Sequence, residues 1–81
     1  MIMKLSEIGQ VVRANRKALG FSQQTLAERA HVSRFTLIKL ENGSASDIQL
    51  KTLAAILAEL RLKLTVSEIP VSGVQILGED Q

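Results

Sequence analysis

The feature that most restricts this chain is its punctuation. Segments with the 3.6-residue apolar period of a helix follow one another from Ser6 to Leu60, and capping or stop residues stand between them. In the first, Ile8, Val12 and Leu19 fall at helical spacing with Ala18 beside them; Ser6 suits the start and Gly20 the stop. Ser22 then offers a second cap, ahead of a segment to Ala30 in which Leu26, Ala27 and Ala30 form one stripe. After His31-Val32 comes a third cap, Ser33, followed by Leu37 and Leu40 and closed by Asn42-Gly43. A short loop, Gly43-Ser44-Ala45-Ser46, leads to a fourth helix from about Ile48 to Leu60 on Leu50, Leu53, Ile56, Leu57 and Leu60.

Composition supports packed helices in one domain. A chain of 81 residues buries only about 60% of its unfolded surface, so it cannot divide its core, and a second chain would help it. Hydrophobic residues make up 46%, yet there are two Phe and no Tyr or Trp, which leaves the core to Leu, Ile, Val and Ala. Cysteine is absent, excluding disulfides and thiolate metal sites and fitting a reducing compartment. The start, Met1 to Glu7, lacks the apolar run of a signal peptide, and no later run approaches membrane-spanning length, so a cytoplasmic protein is expected. All ten basic residues lie between Lys4 and Lys63, against five acids, a surplus of +5; beyond Lys63 stand Glu68, Glu79 and Asp80 with no base. A basic body suits a polyanionic partner.

The period changes after the fourth helix. From Leu60 to Ser67 apolar and polar residues alternate, the pattern of a half-buried strand. A single strand needs a partner, and a two-stranded ribbon across a dimer axis would bury Leu62, Leu64 and Val66. The organisation expected is therefore a helical domain over 1–60, a dimerising β-strand over 61–69 and a flexible acidic tail over 70–81.

Two short helices separated by His31-Val32, each opened by serine, describe a helix-turn-helix, with Ala27 small enough for a close crossing and Val32 and Leu37 filling the angle. The run from Arg16 to Ala27, Arg-Lys-Ala-Leu-Gly-Phe-Ser-Gln-Gln-Thr-Leu-Ala, followed by Val32-Ser33 and Leu40-Glu41-Asn42-Gly43, resembles the Cro/CI-type (XRE, phage repressor-like) helix-turn-helix family over roughly residues 6–60. The resemblance implies an all-α, lambda repressor-like DNA-binding fold of four to five helices, here followed by one short β-strand pairing across a dimer. The family usually has glycine at the turn, where the backbone is left-handed; this chain has His31, which enters that region at a cost of roughly 1 kcal/mol.

The same resemblance implies roles for single residues. Ser22 and Gln23 correspond to positions that hold a phosphate and brace the first base-contacting residue. Ser33 opens the recognition helix. On it, Arg34 suits guanine O6 and N7, Phe35 a thymine methyl, and Lys39 guanine or phosphate, with Ile38 on the same exposed side. Thr36 and Asn42 are expected at phosphates. Arg16 matches the position whose guanidinium bonds the glutamate of Leu-Glu-Asn-Gly, here Glu41, in a structural ion pair.

The alternating segment after the fourth helix resembles the strand by which HipB-like antitoxins dimerise. That likeness implies a repressor of its own operon, bound as a homodimer to a palindromic operator through the major groove and partnered by a HipA-like kinase toxin. The alternatives are a stand-alone phage-type or restriction-modification controller and, more remotely, a protein-interaction adaptor without DNA. With no Cys, no Tyr, one His and its acids scattered, the chain offers no nucleophile-base pair and no metal cluster, so neither catalysis nor a cofactor is expected.

Overall fold

A computed structural model describes residues 4–65 and Glu68. It contains α1 (Leu5–Ala18), α2 (Gln23–Ala30), α3 (Arg34–Glu41) and α4 (Leu50–Glu59). Among the described residues there is no strand, and 62–65 carry no regular structure. Of the segment expected as a strand over 61–69, residues 61–65 show none among the described residues of the single chain, where a lone strand would have no partner for its ladder bonds. Val66 and the expected tail at 70–81 lie outside the described residues. No helix among those described is long and apolar enough to cross a membrane.

The core is aliphatic. Val12, Leu26, Leu37, Leu40 and Ile56 are completely enclosed, with Ala27, Ala30, Leu53, Leu57 and Leu60 around them. Two stripe residues read from the sequence are not part of it: Leu19 is 47% exposed and Leu50 69%. Each stands at a helix end, Leu19 as the C-cap of α1 and Leu50 as the first residue of α4, where the helical projection no longer aims at the core. Ala18 is exposed as well. The fourth helix starts two residues later than the spacing suggests, and Ile48, in the preceding loop, packs against the core instead. At the other end of the chain, Ser6 does not cap α1. Lys4 is the N-cap, and its backbone N–H donates to Glu7 Oε1 at 2.8 Å, so the helix begins before the serine.

All four helices stop in the same way. At each C-terminus one residue turns left-handed, and two backbone N–H groups bond back to carbonyls that the helix leaves unpaired. The left-handed residues are Gly20, His31, Gly43 and Arg61, with φ of 78°, 59°, 81° and 61°. The paired bonds run from Gly20 and Phe21 to Lys17 and Arg16, and from His31 and Val32 to Glu28 and Ala27. They recur from Gly43 and Ser44 to Leu40 and Lys39, and from Arg61 and Leu62 to Ala58 and Leu57. The last of these bears on Leu62: the stop at Arg61 folds it back against the core of its own chain, half-buried, whereas Leu64 stands 44% exposed.

α3 is held from behind by α1 and α2, and α2 in turn packs on α4. The closest approach is at Gly9, where a Cβ would meet the Leu40 carbonyl oxygen at 1.9 Å. A glycine inside a helix is ordinarily a weakness; here it lets two backbones touch.

Candidate nucleic-acid interface

α2 and α3 open with the same four-residue unit, Ser-x-x-Thr. Ser22 Oγ accepts the Thr25 backbone N–H at 3.0 Å, and Ser33 Oγ accepts that of Thr36 at the same distance. Each serine hydroxyl also donates to the threonine hydroxyl, at 2.9 and 2.8 Å respectively. These bonds satisfy helix-start donors and square both helix ends to the surface. Thr25, which the sequence reading passed over, is thus the partner of one cap as Thr36 is of the other.

Between the two helices, His31 adopts φ 59° and ψ 41° and Val32 is half-buried behind it. The left-handed turn sets the angle at which α3 leaves α2. α3 is then locked by a polar cluster under its C-terminal end. Arg16 Nε donates to Glu41 Oε2 at 2.7 Å and Arg16 Nη2 to Glu41 Oε1 at 3.0 Å. The remaining nitrogen, Nη1, donates to the Phe21 carbonyl at 2.8 Å. Both residues are buried, Arg16 7% and Glu41 6% exposed. A fork-to-fork pair of this kind fixes direction as well as distance. Gln23 joins it, Nε2 donating to Glu41 Oε1 at 3.1 Å. The side chain matched to a DNA-bracing role is therefore turned inward, tying the start of α2 to the end of α3.

Seen from the outside, α3 presents Arg34 and Phe35, both exposed, Phe35 at 68%. Ile38 and Lys39 are half-buried rather than on the same exposed side, because the loop after α3 folds over the last turn: the N–H groups of Ser44 and Ala45 both bond to the Lys39 carbonyl. Lys39 Nζ lies 5.3 Å from the centroid of the Phe35 ring. Beside this pair a cleft of about 340 Å³ opens between α3 and the start of α4, lined by Val32, Phe35, Thr36, Lys39, Ile48 and Thr52 among others. Asn42 is committed to the loop, its Oδ1 accepting from the Ser44 backbone at 3.0 Å and from the Ser44 hydroxyl. Thr36 is half-buried at the cleft wall. Of the residues singled out on the sequence, α3 holds Arg34 and Phe35 exposed and places the half-buried Lys39 beside the Phe35 ring, while Gln23, Asn42 and the two serines make bonds within the frame.

Such a helix has a clear chemical capacity. Eight residues span about 12 Å, the width of the B-DNA major groove. A guanidinium, an aromatic ring and an ammonium along that length have the chemistry to meet acceptors and methyl groups on base edges. Among the described residues no group of three or more His, Cys, Asp or Glu side chains is placed to hold a metal ion.

Known proteins share both the sequence and the architecture. A family model described as helix-turn-helix matches residues 12–66. An HTH-type transcriptional regulator of Methanothermobacter thermautotrophicus is 37% identical over 70 residues, covering 86% of this chain and 91% of that protein. Among solved structures, the restriction-modification controller protein C.AhdI from Aeromonas hydrophila superposes with a TM-score of 0.66 at 29% identity, over 73% of this chain and 88% of that one. The SinR protein/SinI protein complex gives a TM-score of 0.65 at 30% identity over 69% of this chain; the match spans about half, 54%, of that chain. The four-helix frame is thus the lambda repressor-like one, and with more than half its length matched by the family model and a transcriptional regulator among its relatives, the chain belongs to the helix-turn-helix family of the Cro/CI (XRE) type.

Proposed function

We propose that the chain is a stand-alone, sequence-specific transcriptional repressor that binds a palindromic operator as a homodimer, one α3 in each of two major-groove half-sites. The observation that carries this reading is the state of α3. It is locked from behind by the Arg16–Glu41 pair and by the Gly9 contact, and it holds Arg34 and Phe35 out to solvent. Side chains aimed from a rigid support are what base recognition requires, since a loose helix would lose its register. The likeness to a restriction-modification controller supports the choice of a small autoregulator. The HipB-like antitoxin reading, with a HipA-like kinase toxin as partner, rests on the alternation of residues 60–66, and no relative described above supports it. The controller reading takes precedence.

Dimerisation through the segment after α4 is part of the proposal. Leu64 is the exposed apolar residue there, and with Leu62 returned to its own core the contact falls to Leu64 and to Val66. Leu64→Lys is expected to give monomers at micromolar concentration by light scattering; an unchanged dimer would move the interface elsewhere. For DNA itself, titration against an operator should show a log–log salt slope of about −4 to −5, from roughly four to six phosphate contacts. Arg34→Ala should cost about 1–3 kcal/mol on that operator and much less on unrelated DNA. A slope near zero would remove DNA binding, and equal losses on both DNAs would demote Arg34 to a phosphate contact.

A further inference from the structure

The end of α3 carries two residues with a chemistry of their own. Asn42 is followed directly by Gly43, and both are exposed. In that order the glycine backbone nitrogen can attack the asparagine side-chain amide, since no β-carbon on the second residue stands in the way. The product is a five-membered ring through Cα, Cβ and Cγ of Asn42, its carbonyl carbon and Gly43 N. Closure therefore requires Gly43 N to lie nearly eclipsed with Cβ. Asn42 has ψ of 5°, which eclipses Gly43 N with the nitrogen of Asn42 itself and leaves it about 120° of rotation from Cβ.

The stop of α3 holds that torsion. The Asn42 N–H donates to the Ile38 carbonyl at 3.0 Å, and the Gly43 N–H, whose proton the attack must remove, donates to that of Leu40 at 3.3 Å. Asn42 Oδ1 accepts from the Ser44 backbone N–H at 3.0 Å and from the Ser44 hydroxyl. The N–H groups of Ser44 and Ala45 close on the Lys39 carbonyl. These bonds lie at an exposed helix end, so they can open locally, without loss of the core, and free the torsion.

We propose that Asn42–Gly43 is a self-modification site gated by the stop of α3, and that its conversion switches DNA binding off. Gly43 N gives up its proton and bonds to Cγ, while the Cγ–Nδ2 bond breaks and Nδ2 departs as ammonia with that proton. Water then opens the imide at one of its two carbonyls, leaving aspartate or isoaspartate. Either product sets a carboxylate at the C-terminal end of α3, where it opposes the helix dipole and repels the phosphates of bound DNA. Isoaspartate also routes the main chain through Cβ, one atom longer, so the return bonds to Leu40 and Lys39 lose their register. The switch rests on α3 being the DNA-binding helix; the chemical step does not.

The test incubates the full chain in mildly alkaline buffer, folded or unfolded in urea, and follows isoaspartate at residue 42 by peptide mapping. Conversion is expected to be at least about tenfold slower in the folded chain, because only the opened fraction reacts. Ser44→Ala, at an exposed position outside the core, removes one bond to Oδ1 and should speed the folded rate about two- to tenfold, with the unfolded rate nearly unchanged. Equal rates in the folded and unfolded parent would overturn the gate, and an unfolded chain that keeps Asn42 intact would overturn the site. For the switch, aged protein separated by charge is compared with Asn42→Asp, whose carboxylate still accepts from Ser44 and so keeps the fold. Both should bind an operator enriched from a randomised pool about three- to tenfold more weakly than the parent. Undiminished binding by both would overturn the switch. A parent that enriches no duplex would remove the DNA reading and the switch with it, whereas the isoaspartate rates are read without DNA and decide the chemistry by themselves.

Discussion

Two of the seams between helices, one that carries α3 and one within its scaffold, are built on different physics. Between α1 and α3 the contact is a glycine, a carbonyl and a buried ion pair: Gly9 against Leu40, Arg16 against Glu41. Between α2 and α4 the buried residues are Leu26, Ala27 and Ala30 on one side and Leu53, Ile56 and Leu57 on the other. At the rim of that second seam Arg29 bonds Glu59 at 3.0 Å, but both side chains are well hydrated, so the pair adds little. An aliphatic seam tolerates sliding and repacking provided that volume is kept. A seam of directed polar bonds and touching backbones has one geometry or none. The molecule uses the exacting kind where the direction of α3 matters and the forgiving kind where only enclosure matters.

The sharpest way to break that contrast is through the ion pair. Arg16→Ala or Glu41→Ala leaves a buried charge without its partner, and each is expected to lower stability by about 3–5 kcal/mol in thermal or denaturant melts. Replacing both with apolar residues of similar volume should recover much of the loss. That double variant should remain folded yet bind its operator less tightly, because the aim of α3 is no longer enforced. Additive losses in the double-mutant cycle would show that the two residues do not act as a pair.

Next comes Gly9, where the sign of the effect is informative. Glycine to alanine inside a helix normally stabilises by about 0.5–1 kcal/mol. At Gly9 the added methyl meets backbone, which cannot rotate away, and a loss of roughly 3 kcal/mol is expected instead. A melting temperature that rises in Gly9→Ala would mean that α1 and α3 do not touch there. The matching probe of the second seam is Ile56→Val, completely buried but surrounded by side chains that can relax; about 0.5–1.5 kcal/mol is expected there.

These two seams were unequally legible in the sequence. The aliphatic one was plain, since Leu26, Ala27, Leu53, Ile56 and Leu57 announce themselves by type and spacing. So were the stops at Gly20 and Gly43 and the serine caps of α2 and α3, whose chemistry is local. The α1–α3 seam was only half visible. Arg16 and Glu41 entered through family resemblance, and Gly9 not at all, because a mid-helix glycine reads as a defect. A signal did exist: Leu5, Ile8, Gly9, Val12 and Arg16 fall on one helical stripe, and a glycine and an arginine on a stripe otherwise apolar mark a close approach and a buried partner. Gln23 escaped because a long polar side chain near the surface can turn either way. The alternation after Leu60 does not register the left-handed stop at Arg61 that folds Leu62 back. On the site itself, the exposure of Phe35 followed from its place on α3, but its pairing with Lys39 depends on rotamers that spacing alone does not give.

The smallest effect expected concerns the turn that joins the seams. His31 and Arg61 are the described non-glycine residues with positive φ, and each occupies a position that Gly20 and Gly43 fill in the other two helix stops. A β-carbon in that conformation costs about 1–2 kcal/mol, whereas glycine avoids the strain but gives up more entropy on folding, about 0.5–1 kcal/mol. The balance leaves His31→Gly more stable by about 0.5–1 kcal/mol, a rise in Tm of roughly 3–6 °C. Arg61→Gly should gain a similar amount, since its hydrogen-bond pair to Ala58 and Leu57 is made by the backbone alone. The two variants separate in their effect on DNA. His31 lies between α2 and α3, where the bonds from residues 31 and 32 to Glu28 and Ala27 also belong to the backbone, so the angle of α3 and the operator affinity should be unchanged. Arg61→Gly removes a positive charge and should flatten the salt dependence only if that charge faces phosphate. A His31→Gly protein that gains stability but loses affinity would assign the imidazole a contact of its own on DNA, and the turn would then belong to the interface rather than to its frame.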